Sequence, residues 1–567
     1  MRLSLGGSLL KHGKDSFSKD DAAAASDSAL ARLLAICLSA VLIACSAAFV
    51  MMTRHWPVVG DAALLRYVVF LIQHGWAPYR DFADINMPGA YLATAFGMHL
   101  VTSLDVSWRI FDFGLIALAG VGYFVIARPY SRFAALFATV LLLLVHGQDG
   151  VQQAGQRDLM IAVLLVIAVA FLLEAVRRER WAYLPGFGLA VGLSATIKPT
   201  AAPLGVVLLA IAAIYQAGWW PADWYRKDSD AASTREPRVS GTRDARAQWA
   251  RFLSWTAIGI AAMAAPVAGM LLWLEHKHAL GAWWTTERVL LPSYAMQERR
   301  PFGFTLSHSI SPLLPLVLLW LLCVVLRGPA WPRFERMLIA TGAVLNLLAL
   351  LAQGKALPYQ RYPMLAFLLL LIALDLMTAW RKDKRAVVRY VAWAGVCCGC
   401  LVLAPLALVK VHRFVAKPQE FDAMLAADLR NLHAEDLSGR VQCLDTIQDC
   451  LPTLYTLRLL PATGTLGDVS LFGPSGNTVV ETSRRRFLHD VEAKPPLVFV
   501  VVSGLFLDST SGYRKLDAWP EFEQWLNAHY ALTVERTPPH LVRWWSRPQA
   551  PAGYRIYLLK PTETALR

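Results

Sequence analysis

The sequence predicts a polytopic α-helical membrane protein of about eleven spans, followed by a smaller extracytoplasmic α/β domain. Hydrophobic residues make up 56% of the 567 residues. Apolar runs that approach or reach the ~20 residues needed to cross a bilayer recur from residue 30 to residue 410. Beyond residue 411 they give way to short amphipathic segments, which are typical of a small domain with its own core.

The distribution of the net charge of +14 predicts the topology. Basic residues occur in short clusters between apolar runs, which is the positive-inside pattern of cytoplasmic loops. We therefore expect no nucleic-acid partner. The clusters that we place in the cytoplasm lie at residues 128–132, 177–180, 219–251, 327–336 and 381–385.

The first 29 residues are predicted to form a disordered cytoplasmic tail, and the first span lies near 30–53. The other apolar runs lie at about 109–127, 133–147, 159–176, 182–197, 200–218, 252–274, 310–326, 337–353, 364–380 and 386–410. The basic clusters stay in the cytoplasm only if residues 88–104 do not cross, so we predict an interfacial helix there, along the outer leaflet. The transmembrane region is then 30–410, and its outer segments are 54–108, 147–158, 198–200, 275–309 and 354–363.

Residues 411–567 are predicted to form the extracytoplasmic α/β domain. The segments FDAMLAADLRNLHAE and EFEQWLNAHY are typical of amphipathic helices. Short strands are predicted in RVQCLD, PPLVFVVVSG, YALTVER and YRIYLLK. Cys443 and Cys450 lie close together in this domain, and an oxidising compartment would favour a disulfide between them.

The first outer loop, 54–108, concentrates charge beside the membrane. Carboxylates and arginines there are costly unless they are paired or lie in a water-filled cavity. Asp61 precedes an apolar helix, so it is either a helix cap or a general base, and composition alone favours the cap. Arg80 and Asp81 either pair with each other or, together with Asp84, bind a substrate.

Five further candidates lie in other outer segments. Asp158 begins a span, where the residues alone predict a pair with Arg157 that caps the helix. Lys198 lies in an outer turn, where it is either a snorkelling lysine or a cation that binds an anionic substrate. The segment 353–363 supplies Lys355, Tyr359 and Arg361, and we interpret Arg361 as a phosphate ligand.

The first loop carries the pattern G-x-x-x-Y-R-D-F-x-D-x-N-x-P-G-x-Y after an aspartate that follows the first span. This arrangement resembles the GT-C superfamily of polyprenyl-phosphate-sugar-dependent glycosyltransferases, in its protein-mannosyltransferase-like and aminoarabinose-transferase-like branch. The resemblance covers residues 30 to about 380. It implies that Asp61 is the catalytic base of an inverting transfer and that Asp158 helps to bind donor or acceptor. It also implies that Lys198 neutralises the charge of a lipid-linked phosphate. It also leaves room for a divalent metal. Many relatives have a Pro-Pro pair where this chain has Met87-Pro88-Gly89.

We therefore expect a hexosyl- or pentosyltransferase of the bacterial inner membrane that acts in cell-envelope glycan synthesis. Its partners would be a polyprenyl-phosphate sugar donor, membrane lipids, and a glycan, lipid or protein acceptor. The leading alternative is a transporter or flippase of lipid-linked glycans, for which inverted repeats would be expected but are not visible in the sequence. The others are a polymerase or ligase of surface polysaccharide and a scaffold without enzyme activity.

Overall fold

The computed structural model describes residues 19–101, 104–220, 245–296, 299–327, 331, 333–383, 385–412, 420–432, 434–446, 450–473, 476–505, 512–537 and 553–561. Within these ranges, eight helices are long and apolar enough to cross a membrane: Arg32–Thr53, Leu104–Ala127, Arg157–Arg178, Ala245–His276, Phe302–Leu326, Arg333–Gln353, Pro358–Arg381 and Ala386–His412. Three shorter apolar helices, Arg132–Gln148, Trp181–Ile197 and Ala201–Ala217, occupy the other predicted spans. The prediction of a many-span helical membrane protein is confirmed.

The α-helices of the membrane region are α1 (Lys19–Thr53), α2 (Asp61–Gln73), α3 (Pro88–Met98), α4 (Leu104–Ala127), α5 (Arg132–Gln148), α6 (Arg157–Arg178), α7 (Leu184–Ile197), α8 (Ala201–Ala217), α9 (Ala245–His276), α10 (Leu280–Thr285), α11 (Leu291–Met296), α12 (Phe302–Ile310), α13 (Leu314–Arg327), α14 (Arg333–Gln353), α15 (Tyr362–Lys382), α16 (Ala386–Cys397) and α17 (Ala404–His412). A π-helical turn, Thr286–Leu290, joins α10 to α11, and a second, Cys398–Leu403, joins α16 to α17.

Helix α1 begins before the predicted span. The chain is helical from Lys19, whereas disorder was predicted up to residue 29. The alanine-rich sequence DDAAAASDSA explains the difference, because alanine has the highest helix propensity. The rest of the predicted tail, residues 1–18, lies outside the described residues.

Helix α3 is too short to span a bilayer, since 11 residues at 1.5 Å each cover about half of its apolar thickness. It begins at Pro88, a residue suited to the first helical position. One face is buried by Ala90 and Tyr91, while Leu92 and Phe96 on the other face are 69% and 63% exposed. This is the amphipathic character expected of the predicted interfacial helix. Its location along the outer leaflet stays a prediction.

Ion pairs gather the predicted cytoplasmic segments at one end of the bundle. Arg128 and Arg178 both contact Glu174, at 2.8 and 2.7 Å. Arg177 contacts Glu335 at the start of α14, at 2.5 Å. Three of the five predicted basic clusters, at 128–132, 177–180 and 327–336, therefore meet in space.

The C-terminal domain is built from α18 (Glu420–Asn431), β1 (Val441–Leu444), α19 (Cys450–Thr456), α20 (Thr478–Ala493), β2 (Val498–Val502), α21 (Pro520–His529), β3 (Tyr530–Arg536) and β4 (Tyr554–Leu559). The strand order is β1-β2-β4-β3, with β1 parallel to β2 and the other pairs antiparallel. Every residue of β2 is buried, because its alternating side chains pack into two hydrophobic clusters, one on each face of the strand. The four predicted strands and two predicted helices are present, and Cys443 is disulfide-bonded to Cys450.

This domain packs on the first outer loop. The Tyr67 hydroxyl of α2 donates to the carbonyl of Leu459 at 3.1 Å. The backbone N–H of Ala83 donates to the carbonyl of Gly464 at 3.0 Å. The predicted first outer loop and the predicted extracytoplasmic domain therefore lie at the same end of the molecule.

Candidate active site

The predicted outer segments converge at the end of the bundle opposite the basic clusters. Segments far apart in sequence are joined there by hydrogen bonds and ion pairs: Arg80 to the Lys277 carbonyl at 3.1 Å, Lys198 to Gln353 at 2.7 Å, Lys355 to the Tyr294 carbonyl at 2.8 Å, and Arg361 to Asp149 at 2.5 Å. A single polar region therefore collects residues from all five of these segments.

Asp61 is the first residue of α2, and its side chain is 40% exposed. The capping position belongs to Gly60, whose φ of 60° only glycine adopts readily. The Asp61 carboxylate lies 3.6 Å from the Arg157 guanidinium and accepts a hydrogen bond of 3.4 Å from the Gln156 amide. The first turn of a helix favours a negative charge. The structure thus presents an accessible carboxylate, stabilised by an arginine and a helix N-terminus, rather than a helix cap.

A hydrogen-bonded chain ties Arg157 to the first loop. Arg157 donates to the side-chain oxygen of Asn86. Asn86 in turn donates to Asp84 from its backbone and its amide, at 3.1 and 2.8 Å, and Tyr91 donates to the other Asp84 oxygen at 2.9 Å. Burial raises the pKa of the Asp84 carboxyl, while the hydrogen bonds from Asn86 and Tyr91 oppose that rise. Asp84 therefore orients Asn86 and, through it, Arg157.

Arg80 and Asp81 pair with each other, as one of the two interpretations of the sequence predicts. The guanidinium donates to both carboxylate oxygens, at 2.8 and 2.9 Å. The Ala77 N–H also donates to Asp81, at 2.7 Å. The hydrogen bond from Arg80 lowers the pKa of the Asp81 carboxyl below its ordinary value, against partial burial.

Asp158, the residue after Arg157, forms a second ion pair with Lys198. Lys198 Nζ lies 2.7 Å from an Asp158 oxygen and 2.7 Å from the Gln353 side-chain oxygen. The Asp158 side chain is only 4% exposed, whereas that of Lys198 is 26% exposed. The predicted alternative, a pair between Arg157 and Asp158, is not what the structure shows: Arg157 contacts the first loop, and Asp158 contacts Lys198 in the turn after α7.

Lys355 and Arg361 are buried, and each contacts another outer segment. The ammonium of Lys355 lies 3.1 Å from the centre of the Tyr294 ring. Arg361 contacts Asp149 and also donates to the His308 carbonyl at 3.2 Å. Both cations therefore hold the loops around the site.

Two tyrosines complete the surroundings of Asp61. Tyr359 lies within the electrostatic influence of Asp61 and Arg157. Burial raises the pKa of the Tyr294 phenol, and the negative charge of Asp61 raises it further. Tyr294 was not singled out from the sequence, where it is one of many aromatic residues near a predicted membrane boundary.

A buried ionic cluster behind the site was also not predicted. Asp112 of α4 accepts hydrogen bonds from Arg109 at 2.8 Å, His146 at 3.0 Å and the Gly155 N–H at 2.7 Å. Trp108, one turn earlier, donates to the Ala154 carbonyl at 3.1 Å. The cluster fixes the backbone just before Arg157. Arg109 and Asp112 within a predicted span are the signal that could have indicated it, because ionisable residues inside a membrane are usually functional or paired.

The described residues offer no cluster of ligands for the divalent metal that the resemblance allows. Within the described ranges, no three His, Cys, Asp or Glu side chains lie close enough together to hold an ion. Asp61 faces Arg157 and Asp158 faces Lys198, so each carboxylate is already opposed by a cation. We derive no step through a metal.

Comparisons with known proteins give one family match and several solved structures of similar fold. Residues 86–225 match the family model of dolichyl-phosphate-mannose-protein mannosyltransferases, and this segment includes Asn86, Arg157, Asp158 and Lys198. No curated protein matches the chain with significance.

Solved structures share the fold over most of the chain. ArnT from Cupriavidus metallidurans, bound to undecaprenyl phosphate, is similar with 12% identity and a TM-score of 0.54, over 92% of this chain and 97% of ArnT. The Archaeoglobus fulgidus oligosaccharyltransferase tethered to an acceptor peptide is similar with 14% identity and a TM-score of 0.52, over 87% of this chain and 72% of that protein. The chain is therefore a many-span membrane protein with the fold of ArnT, and its residues 86–225 match the family model of dolichyl-phosphate-mannose-protein mannosyltransferases.

Proposed function

We propose that the protein transfers a sugar, with inversion, from a polyprenyl-phosphate donor to an acceptor outside the bacterial inner membrane. One observation carries the proposal: the first turn of α6 contacts both a carboxylate, Asp61, and a cation, Lys198. Its two consecutive residues, Arg157 and Asp158, contact Asp61 and Lys198 respectively. Such a transfer needs a carboxylate for the acceptor and a positive charge for the departing phosphate.

Asp61 is the proposed general base. Its exposed carboxylate would accept the proton of an acceptor hydroxyl while the hydroxyl oxygen attacks the anomeric carbon. The bond from that carbon to the phosphate oxygen breaks on the opposite face, so the configuration inverts. Arg157 and Gln156 would hold the carboxylate in place.

Lys198 is the proposed partner of the leaving phosphate. A phosphate monoester is weakly basic, so it leaves without a protonating acid but gains negative charge that a cation stabilises. Lys198 is partly exposed and already oriented by Asp158 and Gln353. Arg361 is buried against Asp149, which supports a role in holding the loops better than direct contact with phosphate.

The proposed orientation places the N-terminus in the cytoplasm and the C-terminal domain in the periplasm. Two features support it. The basic clusters lie at the end opposite the site, as the positive-inside rule expects. The Cys443–Cys450 disulfide is suited to an oxidising compartment. The exposed apolar face of α3 would then meet the outer leaflet, from which the lipid donor enters.

The test is an Asp61→Asn variant in proteoliposomes supplied with radiolabelled polyprenyl-phosphate sugars and membrane extracts as acceptor. Transfer should fall by about 10²–10⁴-fold, the range expected for loss of a general base. Binding of undecaprenyl phosphate should stay at the wild-type level. The exposed Glu275→Gln, at the same end of the bundle, serves as the matched control and should transfer normally.

Wild-type rates from well-folded Asp61→Asn protein would refute the assignment of the base. The transporter alternative predicts a different outcome. The wild-type protein would then move lipid-linked glycans across the bilayer and transfer none of the labelled sugars.

A further inference from the structure

The segment 459–466 of the C-terminal domain connects that domain to the first outer loop. On the domain side it is held by strand β1. The Gln442 side chain, which is buried, accepts hydrogen bonds from the Thr463 N–H at 3.2 Å and the Thr463 hydroxyl at 2.7 Å. Its amide donates to the Thr465 carbonyl at 3.0 Å, and Ala462 N–H donates to the Val441 carbonyl at 2.9 Å. The segment therefore behaves as an extension of the sheet.

The other side of the segment contacts the first loop through its backbone. Gly464 accepts from the Ala83 N–H at 3.0 Å, and Leu459 accepts from the buried Tyr67 hydroxyl at 3.1 Å. The approach at Gly464 is so close that a Cβ there would lie 2.0 Å from the Asp81 carbonyl oxygen. Only glycine fits this contact. The close approach of the first loop is therefore the reason that residue 464 must be glycine.

Adjacent helices reinforce the contact. The Arg66 guanidinium of α2 lies 4.4 Å from the centre of the Tyr455 ring of α19, and Phe70 packs edge-on against the same ring at 5.6 Å. Helix α19 begins at Cys450, whose disulfide partner Cys443 is in β1. Helix α2, which begins with Asp61, is thus packed on an element that is covalently tied to the sheet.

A continuous set of contacts runs from Gly464 to Asp61. Ala83, which bonds to Gly464, precedes Asp84 in the chain. Asp84 orients Asn86, Asn86 accepts from Arg157, and Arg157 faces the Asp61 carboxylate at 3.6 Å. These contacts link the position of Gly464 to the guanidinium that faces Asp61.

We infer that the 459–466 segment positions Arg157 and Asp61 through residues 83–86, so that the C-terminal domain is part of the machinery for the chemical step. Its residues touch neither donor nor acceptor in this role. The inference rests on the proposed function for its effect on sugar transfer, and on the contacts alone for its effect on the first loop.

The test is a Gly464→Ala variant of the full-length protein. The Asp81 carbonyl belongs to the backbone and cannot rotate away, so the first loop must shift by on the order of 1 Å. A misplacement of that size lowers kcat by about 100-fold. The KM for the donor and the affinity for undecaprenyl phosphate should stay at wild-type values. In hydrogen–deuterium exchange, the peptide containing Ala83 should lose its protection.

Gly269→Ala is the matched control, because a Cβ at this position in α9 meets no atom within 4 Å. A second variant, Tyr67→Phe, removes the hydrogen bond to Leu459 with little change in volume. Tyr67→Phe should also lower kcat, but by a smaller factor than Gly464→Ala. If the Gly464→Ala protein does not fold, the kcat of Tyr67→Phe tests the inference instead.

Wild-type exchange at Ala83 together with a wild-type kcat in both variants would overturn the inference. A raised donor KM with unchanged kcat would overturn it too, because that pattern indicates a binding role. If the wild-type protein transfers no sugar, the proposed function fails. The exchange measurement then still decides whether the segment orders the first loop.

Discussion

The pair between Lys198 and Asp158 offers the sharpest test of the site, because a structural pair and a phosphate ligand respond differently to mutation. The Asp158 side chain is 4% exposed and lies 2.7 Å from the lysine. A Lys198→Met variant leaves this carboxylate buried without its cation. Removing one partner of such a buried pair costs about 3–5 kcal/mol, and we expect a loss of that size in the free energy of unfolding.

The double variant, Lys198→Met with Asp158→Asn, should recover most of the lost stability. Neutral side chains of similar volume often replace a buried ion pair without cost. Binding of undecaprenyl phosphate should not recover, because the cation is still missing. A hydrogen bond to a charged group contributes about 1.5–3 kcal/mol, which corresponds to a loss of affinity of roughly 10- to 150-fold.

The assay combines unfolding in detergent micelles, followed by tryptophan fluorescence, with binding of undecaprenyl phosphate to the same samples. Asp158→Asn alone should bind the lipid at least as tightly as the wild type, because the phosphate no longer competes with a carboxylate. Lys410→Met is the matched control, since this lysine lies at the same end of the bundle and contacts Gln148 at 3.3 Å. If the double variant regains lipid binding together with stability, Lys198 is only a structural partner of Asp158.

Two further predictions concern Gly155, which packs behind the candidate site, and Asp428, a buried carboxylate of the C-terminal domain. Gly155→Ala should lower the rate of sugar transfer by about 100-fold. Gly155 has a φ of 65°, and a Cβ there would lie 2.4 Å from the Trp108 ring. The control is Gly114→Ala, whose Cβ would meet no atom within 4 Å and which should transfer sugar normally. Burial tends to raise the pKa of Asp428, but hydrogen bonds from Arg536 and Tyr554 hold it below its ordinary value. Its contribution to stability should therefore be present above about pH 4 and lost as pH falls through the lowered pKa. The free energy of unfolding of Asp428→Asn should lack that dependence on pH. Identical dependence on pH in the variant and the wild type would contradict the prediction.

Local composition determined much of the fold. The spans follow from long apolar runs, and the basic clusters between them predict which helix ends meet at one side. The four strands of the C-terminal domain follow from short runs of β-branched and aromatic residues such as PPLVFVVVSG. Helices α19 and α20 were not predicted. The polar sequence TVVETSRRRFLHDVEA of α20 shows no long apolar run, and α19 has only seven residues.

The sequence by itself also determined which residues are candidates, because charge beside a membrane is costly wherever the fold places it. Only the tertiary structure decided their partners. Arg157 and Asp158 are neighbours in the chain, and a pair between them was one interpretation. Successive residues of a helix point about 100° apart, so Arg157 contacts the first loop and Asp158 contacts Lys198. The contact between Ala83 and Gly464 joins segments far apart in the sequence, and no local pattern in either segment predicts it. It forms because the sheet and the helix bundle pack together.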